Sequence, residues 1–467
     1  MNSKVGKLIF IVLLGLAVWF IPPPEGVKPQ AWHLFAIFFA TITGFILSPI
    51  PIGIITLCAI TVAAITRTLT PGEALSGFSN TTIWLVVCAF LFSKGLIKSG
   101  LGRRIAYTIM RAIGHKTLNL AYSLAISDLI ISPATPSVTA RSGGVIFPIA
   151  RSLAVAFDSE PDRNPRRMGA FLVQSVTQVC MVTSTLFLTS QAGNPLLAGL
   201  AQKTFDINIE WGTWCLAALP PGLIMLALVP YIVYKVYPPE VTETPEARQI
   251  AQGELDKMGP VKPQEKYVCG VFCLCLLLWG TSQWTGLHAT IVGVLGVCIL
   301  LLSGALSWDD VLTEKSAWDT LIWMGGTIAI ATYLNRLGLI AWFTKTVSVY
   351  FTGLPWLMTL VILLLIFMYS QYAFAGLSAH ITAMFPALAA LALAAGAPPL
   401  LTVISFGVVG NLCGCLTHYA SGPSPIFFGS GYTELRTWLR LGFFFSVLHM
   451  TLYMGLAFTW WKIIGFW

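Results

Sequence analysis

Ser132-Pro133-Ala134-Thr135-Pro136-Ser137-Val138-Thr139-Ala140-Arg141 is a hydroxyl-rich string set inside apolar sequence, and Gly376-Leu377-Ser378-Ala379-His380-Ile381-Thr382-Ala383 is a second such string in the other half of the chain. Proline, glycine and short polar side chains break helices, and an unwound backbone carries N–H and C=O groups that hydrocarbon cannot satisfy. Such breaks persist at membrane depth only where protein or a water-filled cavity surrounds them. Two at corresponding positions therefore point to the binding region of a transporter.

The surrounding composition is that of a polytopic α-helical membrane protein. Of the 467 residues 56% are hydrophobic and only 10% charged, with a mean hydropathy of +0.79, so there is too little charge to solvate a soluble surface. The apolar segment Leu8–Ile21 runs into Pro22-Pro23-Pro24 without a small-residue cleavage site and reads as a retained helix. Nearly all ten cysteines fall in apolar segments; Cys273-Leu274-Cys275 has the wrong spacing for a zinc pair, so these are packing thiols. The net charge of +8 sits in short loops, where it orients the chain in the lipid bilayer and does not suggest nucleic acid. No phosphate-binding glycine loop, His-Glu-x-x-His string or serine elbow is present, and neither a cofactor nor a metal is expected.

The chain repeats itself. Thr82-Ile83, Gly100-Leu101 and Phe147-Pro148 recur as Thr320-Leu321, Gly338-Leu339 and Phe385-Pro386, each 238 positions on. Helix-start signals precede both series, at Thr70-Pro71-Gly72-Glu73 and at Ser307-Trp308-Asp309-Asp310. Each half then runs through a spanning helix, a Gly-Leu arm, a hairpin with a polar tip and a second broken helix. The second breaks are Thr189-Ser190-Gln191-Ala192-Gly193-Asn194-Pro195 and Thr417-His418-Tyr419-Ala420-Ser421-Gly422-Pro423-Ser424-Pro425. In the first arm Leu101, Ile105, Ile109 and Ile113 share one helical face with Arg103, Arg104 and Arg111 elsewhere, which suits a helix lying in the interface.

Lys4, Lys7, the first arm with Lys116, Arg163/Arg166/Arg167 and Arg436/Arg440 fall on one side if there are about eleven spans plus two re-entrant hairpins. That side is cytoplasmic, and the repeats are inverted. The expected division is residues 1–68 as N-terminal spanning helices of a scaffold and 69–236 as the rest of the first repeat, with a cytoplasmic-side hairpin near 117–158. A cytoplasmic linker over 237–266 and a second repeat over 267–467, with an outer-side hairpin near 355–395, complete it.

A hairpin tip offers the unpaired N–H groups that begin its returning helix, and the helix dipole adds positive charge there, so it suits a carboxylate. Ser137, Thr139, Ser378 and Thr382 place hydroxyls beside those groups, and Ser190, Asn194, Thr417 and His418 occupy the second breaks. Arg141 follows one tip and His380 lies in the other. They read either as built-in positive charges facing a dianion, or as a structural arginine and a core histidine. Asp128 is the acidic counterpart of His418 or a partner for Arg141.

At these strings the sequence resembles the divalent anion:sodium symporter (DASS) family, in its branch of bacterial citrate/succinate and 2-oxoglutarate/malate translocators. The matching stretches are Gly100–Ala106, the Pro136–Gly144 tip, Ser378-Ala379-His380, and Thr417-His418-Tyr419 followed by Ser421-Gly422-Pro423. The resemblance implies a homodimer whose transport domain, carrying both hairpins, moves like an elevator against a scaffold. Family tips carry Ser-Asn-Thr, where this chain has Ser137-Val138-Thr139 and Ser378-Ala379-His380; the literal Ser79-Asn80-Thr81 precedes a spanning helix and is a decoy. Arg141 and His380 could thus stand where symporters hold sodium. The expectation is a sodium-independent exchanger of small dicarboxylate anions (malate, succinate or 2-oxoglutarate, with citrate or tartrate also possible) in the cell membrane, inner or plasma. The alternatives are a sodium-coupled symporter and, from other classes, a membrane enzyme or a channel. No paired nucleophile and base favours the enzyme, and inverted broken helices speak against a simple pore.

Overall fold

The computed structural model describes residues 4–467. Among the described residues every regular element is helical, apart from two isolated bridges, Lys116 to Glu243 and Glu160 to Arg163. The first half contains Lys4–Phe20, Pro29–Leu47, Ile52–Ile65, Thr81–Ser99, the broken pair Gly169–Leu186 and Gly193–Phe205, and Trp211–Val236. The second contains Pro263–Gly280, Ala289–Leu302, Lys315–Arg336, the broken pair Pro399–Leu412 and Ser424–Gly429, and Leu435–Ile463. Counting each broken pair as one, these are the eleven expected rods. Among the described residues seven helices have at least 18 residues and are apolar enough, by length and composition, to cross a membrane.

The repeat is visible element by element. Thr70 and Ser307 both open short helices through capping boxes: Thr70 Oγ1 accepts from the Glu73 amide and Ser307 Oγ from the Asp310 amide, while each acid accepts from the cap residue's own N–H. Gly100 and Gly338 turn the chain into the two arms, Leu101–Ile113 and Leu339–Ser348, at φ +81° and +88°. Hairpin limbs follow at Thr117–Ile131 with Phe147–Ala156, and at Trp356–Ser370 with Leu377–Ala394. Asn80 Oδ1 accepts from the Thr82 amide at 2.8 Å, so the Ser79-Asn80-Thr81 string is a helix cap.

Outward faces are apolar, with Ile9, Leu13, Phe20, Ile65, Leu277 and Leu302 exposed, as a lipid-facing surface requires. The centre is the reverse. All 18 residues of Gly169–Leu186 are buried, among them Gln174, Thr177, Gln178, Thr183, Ser184 and Thr185.

Two details differ from the sequence reading. In the first arm the most buried face is Leu101, Ala106, Tyr107 and Met110, while Ile105, Ile109 and Ile113 are half-buried. The segment over 237–266 is not merely a polar connection: it contains a helix, Ala247–Met258, whose Ala247, Ala251 and Leu255 are buried at i, i+4, i+8 spacing. This helix lies along the first arm. Arg103 pairs with Glu254 at 3.6 Å, Arg104 pairs with Glu265 and donates to the Gly259 carbonyl at 2.9 Å, and Arg111 donates to Gln252 at 3.0 Å. Upstream, Thr117 of the hairpin donates from its amide to the Thr242 carbonyl at 3.0 Å and from its hydroxyl to the Val241 carbonyl at 2.6 Å. The linker thus straps the first hairpin to its arm.

Candidate functional site

After Ile131 the first hairpin unwinds through a short 3-10 turn, Ser132–Ala134, and restarts at the tip. Ser137 Oγ accepts from the Ala140 amide at 3.1 Å, capping the new helix. Its first eight residues, Thr139–Ile146, are wound as a π-helix before α-geometry resumes at Phe147. Pro148 has no N–H to give to the preceding turn, and the adjacent Gly143 and Gly144 tolerate the wider winding. Thr139 and Gly144 are exposed and Ser137 is half-buried, whereas Arg141 and Ser142 are buried.

Arg141 is 0% exposed and all five of its N–H groups are engaged. Nε donates to Asp128 Oδ1 at 3.1 Å, Nη1 to the Thr135 and Ser190 carbonyls at 2.9 and 2.7 Å, and Nη2 to Thr183 Oγ1 and Ser184 Oγ at 3.3 and 3.1 Å. Asp128, 1% exposed, also accepts from Ser142 Oγ at 2.7 Å and from Thr183 Oγ1. The guanidinium fills a cage of oxygens drawn from both breaks of the first half, and its charge is balanced inside that cage. Arg141 has no N–H left for a ligand in this conformation, which differs from its expected place as a substrate contact; Asp128 is its partner, as one of the two readings of the sequence had it.

The polar string Thr189–Pro195 has a backbone task. The last carbonyls of Gly169–Leu186 lack helical partners, so side chains cap them. Ser190 Oγ donates to the Ser184 carbonyl at 2.6 Å, and Asn194 Nδ2 to those of Ser184 and Phe187 at 2.8 and 3.0 Å. Thr189 Oγ1 donates to the Pro133 carbonyl at 2.6 Å, tying this break to the first hairpin. Ser190 and Asn194, expected at the substrate, are committed to the break itself.

In the second hairpin Gly376 carries φ +153° and ψ +148°, a backbone region essentially reserved for glycine, and there Leu377–Ala394 begins. Ser378 is half-buried near the start of that helix. His380 is buried, stacked on Phe367 at 4.2 Å and edge-on to Phe374 at 5.1 Å. Its Nε2 lies 2.8 Å from Ser370 Oγ. Ser370 sends its proton to the Phe367 carbonyl at 3.0 Å, so the network assigns the donor to His380 Nε2. Among the described residues no carboxylate forms an ion pair with it. Thr382 Oγ1, Thr417 Oγ1 and His418 Nδ1 have no hydrogen-bond partner among the described residues, and neither does Asn411 Oδ1. His418 is half-buried against Phe428, with ring centroids 4.7 Å apart.

The four breaks meet, in a crosswise pattern. Within each half the second break touches its own hairpin: the Ala192 amide donates to the Pro136 carbonyl at 3.1 Å, and Gln371 Nε2 to the Ala420 carbonyl at 3.3 Å. Across halves, a Cβ on Gly193 would lie 2.6 Å from Ile381, and one on Gly422 would strike Thr139 Oγ1. Asn411 Nδ2 donates to Asn194 Oδ1 at 2.6 Å, joining the two broken helices directly. Thr139 of the first tip thus meets the second break of the other half, and Ser137 and Ser378 belong to the two tips, while Thr382 and Thr417 are buried and His418 half-buried within the second half's broken segments. These are hydrogen-bond donors suited to carboxylate oxygens. The sequence reading had not singled out Thr183, Ser184, Gln371 or Asn411; the hydroxyl run Thr183-Ser184-Thr185, just ahead of a break, was the available signal.

Comparison with known proteins follows the same lines. Residues 2–467 match the profile of the sodium:sulfate symporter transmembrane region. YflS of Bacillus subtilis (strain 168), provisionally named a malate transporter, is 46% identical over 465 residues, covering 99% of this chain and 97% of its own. The chloroplastic dicarboxylate transporter 1 of Arabidopsis thaliana is 41% identical over 469 residues, 100% of this chain and 84% of its own. The crystal structure of the YdaH transporter of Alcanivorax borkumensis shares the fold, with a TM-score of 0.59 at 13% identity over 99% of this chain and 98% of that one. Eleven helical rods, two broken hairpins meeting at one junction and a profile match along the chain make this a membrane transporter and not an enzyme, a member of the divalent anion:sodium symporter family.

Proposed function

We propose that this protein exchanges C4 and C5 dicarboxylates, such as malate, succinate or 2-oxoglutarate, across the cell membrane without sodium. The observation that carries the reading is the Arg141 cage. Backbone carbonyls of unwound segments are what a transporter of this kind offers a coupling cation, and here Thr135 O and Ser190 O, with two hydroxyls and a carboxylate, are already taken by a guanidinium. Malate and dicarboxylate transport in the names of relatives 46% and 41% identical supports the substrate class.

Ser137, Thr139, Ser378, Thr382, Thr417 and His418 are the proposed donors to the two carboxylates. Arg141 and His380 shape the tips from beneath. Asp128 neutralises Arg141, so the barrier to an empty carrier comes instead from Thr382, Thr417 and His418, which find no partner among the described residues; each unmet buried group costs about 1–3 kcal/mol. In this reading the hairpins and broken helices travel together as a transport domain against a scaffold that includes residues 1–68, in a homodimer. The family's sodium-named profile favours the rival, a sodium-coupled symporter. Uptake of labelled malate into proteoliposomes separates them. Exchange needs internal dicarboxylate and ignores sodium, whereas a symporter fills empty liposomes when sodium is supplied outside.

A further inference from the structure

The last helix, Leu435–Ile463, is interrupted by five residues, His449–Tyr453, wound as a π-helix. A π-turn shifts the register of everything after it and is rare outside functional places, because it gives up good helical hydrogen bonds. Here it delivers one side chain. Tyr453 is 0% exposed, with its hydroxyl 2.8 Å from Thr185 Oγ1. Thr185 Oγ1 sends its single proton to the Val182 carbonyl, also at 2.8 Å, so Tyr453 is the donor of the pair.

The helix Trp211–Val236 is shaped around this contact. A Cβ on Gly222 would collide with Leu186 and lie 3.2 Å from the Tyr453 hydroxyl, so glycine leaves the tyrosine its path. From the same helix Trp214 Nε1 donates to the Thr185 carbonyl at 2.8 Å. Thr185 is therefore held at its hydroxyl and at its carbonyl by two helices that belong to none of the four breaks. It is also the next residue after Thr183 and Ser184, which supply two of the five oxygens around Arg141. The end of a helix frays unless something anchors it.

We propose that Tyr453 is a positioning residue for the substrate site: through Thr185 it fixes the end of Gly169–Leu186, and with it the Arg141 cage on which the first tip stands. The inference rests on the dicarboxylate reading for its transport readout only. The Tyr453 hydroxyl bonds Thr185, which belongs to neither tip, so losing it lowers the fraction of carriers with a binding-competent tip. That raises the apparent KM in inverse proportion and leaves the rate at saturation alone.

The test uses the full chain reconstituted in liposomes, with malate as the probe. Tyr453→Phe removes one donor and leaves only a lone pair of Thr185 unmet, so the protein folds. Its KM is expected to rise about threefold to tenfold, with the maximal rate within about twofold of wild type. Thr185→Val gives a similar shift, and the double variant is no worse than the larger single, because both act through one bond. Hydrogen–deuterium exchange over residues 183–190 rises in Tyr453→Phe. A wild-type KM, a loss confined to maximal rate or melting temperature, additive single effects, or unchanged amide protection each overturns the proposal. If wild type does not carry malate, the transport reading fails, and amide protection alone decides for or against Tyr453.

Discussion

Removing one member of the Asp128–Arg141 pair leaves a buried charge with no counterion. Both groups are essentially without solvent contact, at 1% and 0% exposure, so the screening that makes surface pairs nearly neutral is absent. Breaking such a pair costs about 3–5 kcal/mol. Arg141→Ala should therefore unfold well below wild type, with the Thr135 and Ser190 carbonyls unmet as well as Asp128 uncompensated. Asp128→Asn keeps one oxygen that can accept from Arg141 and Ser142 but turns an NH2 toward Thr183, whose hydroxyl can still donate to the Cys180 carbonyl, so it should sit at the low end of that range. The double replacement Asp128→Leu with Arg141→Met removes both charges in side chains of similar bulk and should recover most of the loss. It stays short of wild type by about 1–3 kcal/mol for each unmet carbonyl. Thermal unfolding of the purified protein, followed by tryptophan fluorescence in one fixed detergent, orders the variants. If Arg141→Ala melts at the wild-type temperature, or if the double variant loses the sum of the singles, the charge-balanced cage is refuted.

Thr382→Val and Thr417→Val each remove a hydroxyl that bonds to nothing among the described residues, so melting temperature should hold or rise. Malate affinity should fall about threefold to tenfold, read by the substrate-induced melting shift. Gly376→Ala meets no atom within 4 Å, so its cost of about 1–3 kcal/mol is backbone strain alone; transport should fall while the folded protein survives size-exclusion chromatography. Away from the spanning segments, burial pushes the Asp310 carboxyl up, but Lys98 together with the Ser307 amide and hydroxyl outweighs it and holds the pKa down at about 2. The group's contribution to stability is complete above its ordinary value of 3.8 and is lost as pH falls toward 2. Acid unfolding curves should therefore be steeper for wild type than for Lys98→Met in that window.

Local rules reached far in this sequence. The capping boxes at Thr70 and Ser307, the glycine turns at 100 and 338 and the four breaks are each written in a few adjacent residues, and a constant offset of 238 linked them into two halves. Partner choice was harder. Whether Arg141 faces a ligand or its own protein depends on Thr183 and Ser184, some 40 residues away, which come near only because the helix Gly169–Leu186 is central and ends at a break. Ser190 and Asn194 have the right chemistry for a carboxylate, yet they serve carbonyls that the end of that helix leaves unpaired. The π-winding at His449–Tyr453 carries no period of its own in the sequence, and its Tyr453 packs beside Gly222 and bonds Thr185, residues more than 200 positions away. The helix Ala247–Met258 was legible in its i, i+4, i+8 spacing and was hidden by the polar residues around it.

The central claim is that a resident guanidinium does the work of a coupling ion. It is tested most directly by measuring the dissociation constant of malate for the purified protein in sodium-free choline buffer and in sodium buffer of equal ionic strength and pH. The account predicts the same constant in both. A tenfold or greater tightening on adding sodium would contradict it and establish a cation site that Arg141 does not fill.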